Sequence, residues 1–135
     1  MNPQDMTDKD WKDRLTSEQY HVLRERGTET PGTGQLLHNN DSGDYSCAAC
    51  GTLLFRSTQK YDSTIPGLIG WPSFDDAAGS EAVILREDPS FGMRRTEVIC
   101  KTCSGHLGHF FPDESSPTGD HYCINSAALD FKQTS

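Results

Sequence analysis

This sequence predicts a mainly β fold of antiparallel strands, with its helical content at the N-terminal end. Three observations lead there. From about residue 44 onward, short apolar runs rich in β-branched and aromatic residues alternate with Gly, Pro, Asn and Asp turns. Only one stretch carries a full set of helix signals. The 135 residues include 12 Gly and 7 Pro, with 33% hydrophobic and 24% charged residues, a balance that describes a folded, loop-rich chain with a thin core. A single domain spanning 1–135 is expected, with a polar lead-in over 1–14 and a short tail over 132–135.

The lead-in holds one large apolar residue, Trp11, which is expected to dock on the body. Thr16-Ser17-Glu18-Gln19 is a capping box, and Leu15 and Tyr20 are spaced as a hydrophobic staple. A helix is therefore expected from about Ser17 to Arg26, turning Tyr20 and Leu23 inward. Glu18 in its first turn and Arg24 and Arg26 in its last suit the helix dipole, and Gly27 can end it. Residues 28–43 read as loop. Strands are expected over 44–47, 52–55, 82–87, 93–100, 106–111 and 121–131.

The formal net charge of −8 removes the basic face that a nucleic-acid partner requires. No apolar run approaches the ~20 residues of a membrane span, so no membrane association is expected. The segment 1–12 carries Asp5, Asp8 and Asp10 where a secretory signal would be basic and then apolar. A cytoplasmic, reducing setting is the expectation, and there paired cysteines read as metal ligands rather than disulfides.

Five cysteines divide unequally. Cys47 and Cys50 form one Cys-x-x-Cys pair, and Cys100 and Cys103 another. Two matched pairs supply the four thiolates of a tetrahedral structural zinc, with no position left open for water. Buried free thiols or a redox pair are the competing readings. Such a knot closes a long loop and staples a small core. Cys123 is left over. An inert buried thiol is one reading of it; a nucleophile is the other. His121 and Asn125 flank it at two residues on either side, hence on its own strand face. His106-Leu107-Gly108-His109, with Asp113 beyond, offers two histidines that reach one pocket only if the strand bends, which Gly108 would permit. Gly70-Trp71-Pro72-Ser73-Phe74 is either core packing or the wall of an apolar pocket.

In combination these segments resemble the B-type methionine-R-sulfoxide reductases. The resemblance rests on Cys47-x-x-Cys50-Gly51, Gly70-Trp71-Pro72-Ser73-Phe74 and Arg95-Thr96-Glu97-Val98-x-Cys100-x-x-Cys103. His106-Leu107-Gly108-His109 and Tyr122-Cys123-Ile124-Asn125-Ser126 extend it, as do Leu15-Thr16-x-Glu18-Gln19-Tyr20 and Gly27-Thr28-Glu29. It implies two antiparallel β-sheets with N-terminal helices and a structural zinc knot. It implies Cys123 as nucleophile, His106, His109 and Asn125 around the sulfoxide oxygen, and Asp113 supporting the histidines. Trp71 would lie against the substrate methyl, with Phe74 and His121 also on the substrate side. Methionine-R-sulfoxide, free or in proteins, would be the substrate, and thioredoxin, glutaredoxin or a small thiol the reductant, acting on a monomer.

Three departures from the family pattern stand out. The run 62–71 lacks the Gly-Cys-Gly-Trp cysteine that often resolves the oxidised nucleophile and holds about four extra residues, placed within 64–69. His121 stands where Arg is frequent, and Gly32 replaces the usual aromatic after Pro31. Four thiols for zinc and one for chemistry leave none to resolve a sulfenic acid. A non-enzymatic zinc-ribbon module accounts for the knuckles but not for Cys123, the histidines or Trp71. A zinc deaminase requires Pro before its Cys-x-x-Cys, and neither pair has one.

Overall fold

A computed structural model describes residues 5–30, 32, 34–61, 70–79, 81–88, 95–114 and 116–134. The run 62–69, with the extra residues, lies outside the described residues, as do Pro31 and the first two residues of the strand expected over 93–100.

Two antiparallel sheets form the body. β1 (Gly43–Cys47), β2 (Leu53–Arg56) and β9 (Leu129–Gln133) make a three-stranded sheet in the order β2-β1-β9. The larger sheet joins β3 (Lys60–Tyr61), β4 (Ser73–Phe74), β5 (Val83–Asp88), β6 (Arg95–Cys100), β7 (His106–Pro112) and β8 (Asp120–Ile124). Its order is β3-β4-β8-β7-β6-β5. The segment 121–131 is not one strand, as its apolar run suggested. Asn125 ends β8, and a 3-10 turn over Ser126–Ala128 carries the chain into the other sheet. β3 and β4 are too short, at two residues each, to leave a period-2 signature in the sequence.

The lead-in is helical: α1 (Asp8–Arg14) is opened by a capping box between Thr7 and Asp10. Its one buried side chain, Trp11, docks on the body as expected, 1% exposed. α2 (Ser17–Leu23) begins at the Thr16–Gln19 capping box but ends three residues before Arg26. Arg26 itself adopts the left-handed conformation, with φ 59°, where Gly27 was expected to do so. Val22 and Leu23 are the buried face of α2, and Tyr20 is only half-buried.

Period-2 alternation gives the larger sheet two chemically distinct faces. Phe74 pairs with Tyr122 and Tyr122 with Phe110, and this face carries aromatic core. Phe74 stacks on Phe55 of the smaller sheet with ring centroids 4.4 Å apart, and meets Tyr45 edge-on at 5.1 Å. Each such ring contributes about 1.5–3 kcal/mol by burial. Phe74 is therefore a fully buried core residue and, contrary to expectation, does not line the cavity beside Cys123. The opposite face reads Ser73, Cys123, His109, Glu97, Arg86 across five adjacent strands, each residue in register with the next. Such directly opposed side chains lie ~5 Å apart at Cβ.

A bulge makes that row chemically useful. Val98 pairs with Gly108 but Ile99 pairs with His106, so Leu107 is the extra residue in β7. Histidines three apart on a regular strand point to opposite faces. The bulge brings His106 and His109 to one side, with ring centroids 5.3 Å apart. Gly108 sits beside it because a Cβ there would lie 2.0 Å from the carbonyl oxygen of Cys123. Gly108→Ala must push β8 away from β7, and an overpacking cost of about 1–3 kcal/mol is expected, measured as a lower urea midpoint with a reduced rate of Cys123 chemistry.

Candidate active site and zinc knot

Both knuckles are built as the same turn. Gly51 N–H donates to the Cys47 carbonyl at 2.8 Å, and Ser104 N–H to the Cys100 carbonyl at 2.8 Å. The residue after each second cysteine is left-handed, Gly51 at φ 81° and Ser104 at φ 64°. This geometry turns both sulfurs of each pair inward, and one thiol sulfur from each of the four cysteines falls within 4.8 Å of the others. Cys47 and Cys103 lie 3.7 Å apart at sulfur, and Cys50 and Cys100 3.5 Å. A Zn–S bond of ~2.3 Å in a tetrahedron places sulfurs ~3.8 Å apart, so the donor set and spacing fit a structural zinc.

On the larger sheet's polar face, a cavity of about 130 Å³ is lined by Thr28, Trp71, Arg95, Gly108, His109, Phe111, Cys123 and Asn125. At ~30 Å³ per water, it holds about four water-sized groups. Cys123 and His109 face it as register partners on β8 and β7. Trp71 and Asn125 are fixed by one residue. The Trp71 indole N–H donates to the Glu29 carbonyl at 3.0 Å, and Glu29 N–H donates to Asn125 Oδ1 at 2.9 Å. Asn125 Nδ2 then donates to the Leu107 carbonyl at 3.0 Å. A larger groove, of about 720 Å³, runs between α2 and β9 but contains neither thiol nor imidazole.

The expected site residues thus separate. Cys123, His109, Asn125 and Trp71 share the cavity. His106 lies beneath it, 3% exposed, with Nδ1 2.6 Å from Glu97 Oε2. Burial pulls the His106 pKa below the ordinary histidine value, although Glu97 opposes this, so His106 is neutral and Nδ1–H donates. Burial would lift Glu97, but His106, Arg86 and Arg26 outweigh it and hold the carboxyl below the usual range. His121 is fully buried, with Nδ1 3.2 Å from Asp113 Oδ2, and it does not line the cavity. Desolvation lowers its pKa as well, so it is a neutral ring where the family often has a permanent cation. Asp113 supports His121 rather than the expected His106 and His109, which rest on Glu97 and Asp88, and it also accepts from the Tyr61 hydroxyl at 2.7 Å. Arg95, Thr28 and Phe111 line the cavity and were not foreseen. Nor were Glu29, Asp88 and Glu97, which hold its walls. The signal for Arg95 and Glu97 was visible: charges inside a strand that runs into a buried knuckle require partners.

A SelR domain matches residues 15–133. The chain belongs to the SelR family, the B-type methionine-R-sulfoxide reductases. It is 54% identical over 127 residues to "Peptide methionine sulfoxide reductase MsrB" of Leifsonia xyli, covering 93% of this chain and 88% of that protein. It is 52% identical over 126 residues to the protein of the same name from Methanosarcina barkeri, covering 93% and 86%. It is also 47% identical to "Methionine-R-sulfoxide reductase B2, mitochondrial" of Rattus norvegicus, covering 91% and 72%. Among solved structures, the Mis18 "Yippee-like" domain shares the fold, with TM-score 0.52 and 18% identity over 70% of this chain and 98% of that one. Among the described residues, no helix of this SelR domain is long and apolar enough to cross a membrane.

Cys123 rests as a thiol, its pKa pushed up to about 12 by burial and then by the charge of Glu29. With zinc in place, iodoacetamide should modify one cysteine, Cys123, slowly at pH 7. Its rate should rise about tenfold per pH unit up to pH 10, followed by mass spectrometry. Chelation of the metal should expose all five thiols to the reagent and lower the thermal midpoint.

Proposed function

We infer that the protein reduces methionine-R-sulfoxide to methionine at Cys123. The observation that carries this reading is the register pairing of Cys123 with His109 across one small cavity. Membership of the SelR family and about half identity with methionine sulfoxide reductases over most of the chain support it. A methylsulfinyl group has three heavy atoms and suits the cavity's size. The Trp71 face supplies an apolar wall for the methyl, and His109 and Asn125 supply the polar side for the oxygen. Fixing methyl and oxygen on opposite sides leaves one epimer with its sulfur toward Cys123.

The step balances on the chain's own groups. The Cys123 sulfur bonds to the sulfoxide sulfur and gives up its proton, while His109 delivers a proton to the sulfoxide oxygen. That oxygen passes to the Cys123 sulfur and the bond to the substrate sulfur breaks. Methionine leaves, reduced by two electrons, and Cys123 is oxidised by two as a sulfenic acid. Because Cys123 begins as a thiol, its proton must leave as the oxygen gains one, and the neighbouring imidazole can serve both transfers. Asn125 orients the substrate, held by Glu29 and the Leu107 carbonyl.

Zinc bound by Cys47, Cys50, Cys100 and Cys103 supplies a cross-link rather than chemistry, since four thiolates fill its shell. With those thiols engaged, an external thiol attacks the sulfenic acid, expels water and forms a mixed disulfide that a second thiol releases. Thioredoxin, glutaredoxin or a small dithiol could supply both. This chemistry, with none of the five cysteines in a disulfide, suits a reducing cytoplasmic setting, and the chain is taken to act as a monomer.

Without reductant, one equivalent of zinc-loaded protein should consume about one equivalent of the R epimer from racemic N-acetyl-methionine sulfoxide, and none of the S epimer. Cys123→Ser should consume neither. Chiral separation of the residual sulfoxide measures both, and a disulfide between Cys123 and a knuckle cysteine after turnover would contradict the external-thiol step.

A further inference from the structure

Two buried carboxylates stand behind the cavity, each holding one histidine of the bulged strand. Glu97 takes His106, as described above. Asp88, the last residue of the edge strand β5 and 3% exposed, takes His109, with Nε2 2.9 Å from Oδ2. Its other oxygen lies 3.2 Å from Arg26 Nη2, and Oδ2 is also 3.5 Å from Arg95 Nη2. Asp88 therefore contacts two residues that line the cavity, His109 and Arg95, and lines none of it itself.

We propose that Asp88 is a positioning residue for the reaction, holding His109 through Nε2 so that Nδ1 presents the transferable proton to the sulfoxide oxygen. This rests on the reductase reading above. The hydrogen bond to Asp88 is the one that the His109 ring makes among the described residues, which leaves Nδ1 for substrate. In the neutral ring Nε2–H donates to the carboxylate and Nδ1 carries the lone pair. Once protonated, Nδ1–H is the acid, and the Asp88 charge offsets that of the imidazolium.

The other groups facing His109 leave that task to Asp88. Arg26 and Arg95 are cations and oppose protonation of the ring. Glu97, opposite His109 in β6, is already engaged by Arg26, Arg86 and His106. The His106 ring beside it is neutral, and Cys123 across β8 is a neutral thiol. Asp88 is thus the anion in direct hydrogen-bond contact with the ring.

The test uses Asp88→Asn and Asp88→Glu in the full, zinc-loaded chain, with the R epimer and dithiothreitol from pH 6 to 9. An amide keeps a hydrogen-bond acceptor but loses the charge. Asp88→Asn should lower kcat by about 100-fold, the scale of one general acid. KM should stay within about twofold, because Trp71 and Asn125 are held by Glu29. His109 must begin neutral to take the Cys123 proton, and without the carboxylate the imidazolium is harder to form, so the acid limb of kcat should move to lower pH. Asp88→Glu should restore the limb and most of the rate. Wild-type kcat with an unmoved limb in Asp88→Asn overturns the proposal. If that variant fails to retain zinc, long-range proton–nitrogen spectra of the wild type decide instead: a neutral His109 protonated at Nε2 supports the assignment, and one protonated at Nδ1 overturns it. Failure of the wild type itself to reduce the R epimer would overturn the reductase reading rather than this refinement of it.

Discussion

The close approach of β8 to β7 at Gly108 is the constraint on which the site depends. A Cβ at that position would lie 2.0 Å from the Cys123 carbonyl oxygen, so the two backbones meet where no side chain fits. The strand pairing fixed there sets Cys123 opposite His109 and Cys123 beside Ser73. One residue of slip would send the thiol into the aromatic core with Tyr122 and Ile124. The neighbouring bulge at Leu107 then recovers His106 for the same face. Local backbone irregularity, rather than sequence spacing, brings the paired histidines together.

Electrostatics around the thiol follow from what this chain has in place of a cation at position 121. A buried arginine there would favour the thiolate before substrate arrives. His121 is instead neutral, its ring desolvated and tied to Asp113. Burial and Glu29 both push Cys123 toward the protonated state. In the reaction proposed above, such a site holds an unreactive thiol until a sulfoxide couples its proton loss to proton gain at oxygen. Such a resting state protects a lone cysteine that has no partner thiol to rescue it from further oxidation.

Much of this was legible in the sequence, for identifiable reasons. The Cys-x-x-Cys pairs declare their ligand geometry within a single turn, and the four sulfurs converge as their spacing predicts. The Thr16–Gln19 capping box is a four-residue signal and places the start of α2 correctly. What local pattern could not show was where a run of apolar residues changes sheets. Residues 121–131 look continuous because Ala127, Ala128 and Leu129 stay apolar through the turn that breaks them. Phe74 looked like a pocket wall because it follows Trp71, yet strand alternation turns it into the core. His121 shares a strand face with Cys123, as its spacing requires, but lies buried against Asp113 rather than at the cavity. Asp88 and Glu29 were invisible because their partners are 21 and 96 residues away, respectively, at His109 and Asn125.

The zinc knot and the cavity are joined through a short strap. Arg24 donates through Nη1 to the Cys103 carbonyl at 2.9 Å, and its guanidinium lies 4.9 Å from the Trp11 ring centre. That contact seats the end of α2 and the α1 tryptophan on the second knuckle. Two residues on, left-handed Arg26 reaches both Glu97 and Asp88, the carboxylates behind His106 and His109. Thr28 lines the cavity, and Glu29 anchors Trp71 and Asn125 by its backbone while its carboxylate accepts from Ala127 N–H at 2.9 Å. Six consecutive residues thus run from the metal knuckle to each wall of the pocket. A loop of this kind has few hydrogen bonds of its own, so its order must come from the elements that it touches. The knuckle holds the strap's first residue, and the strap holds the side chains around Cys123; metal binding remote from the thiol therefore bears on the geometry of the cavity around it.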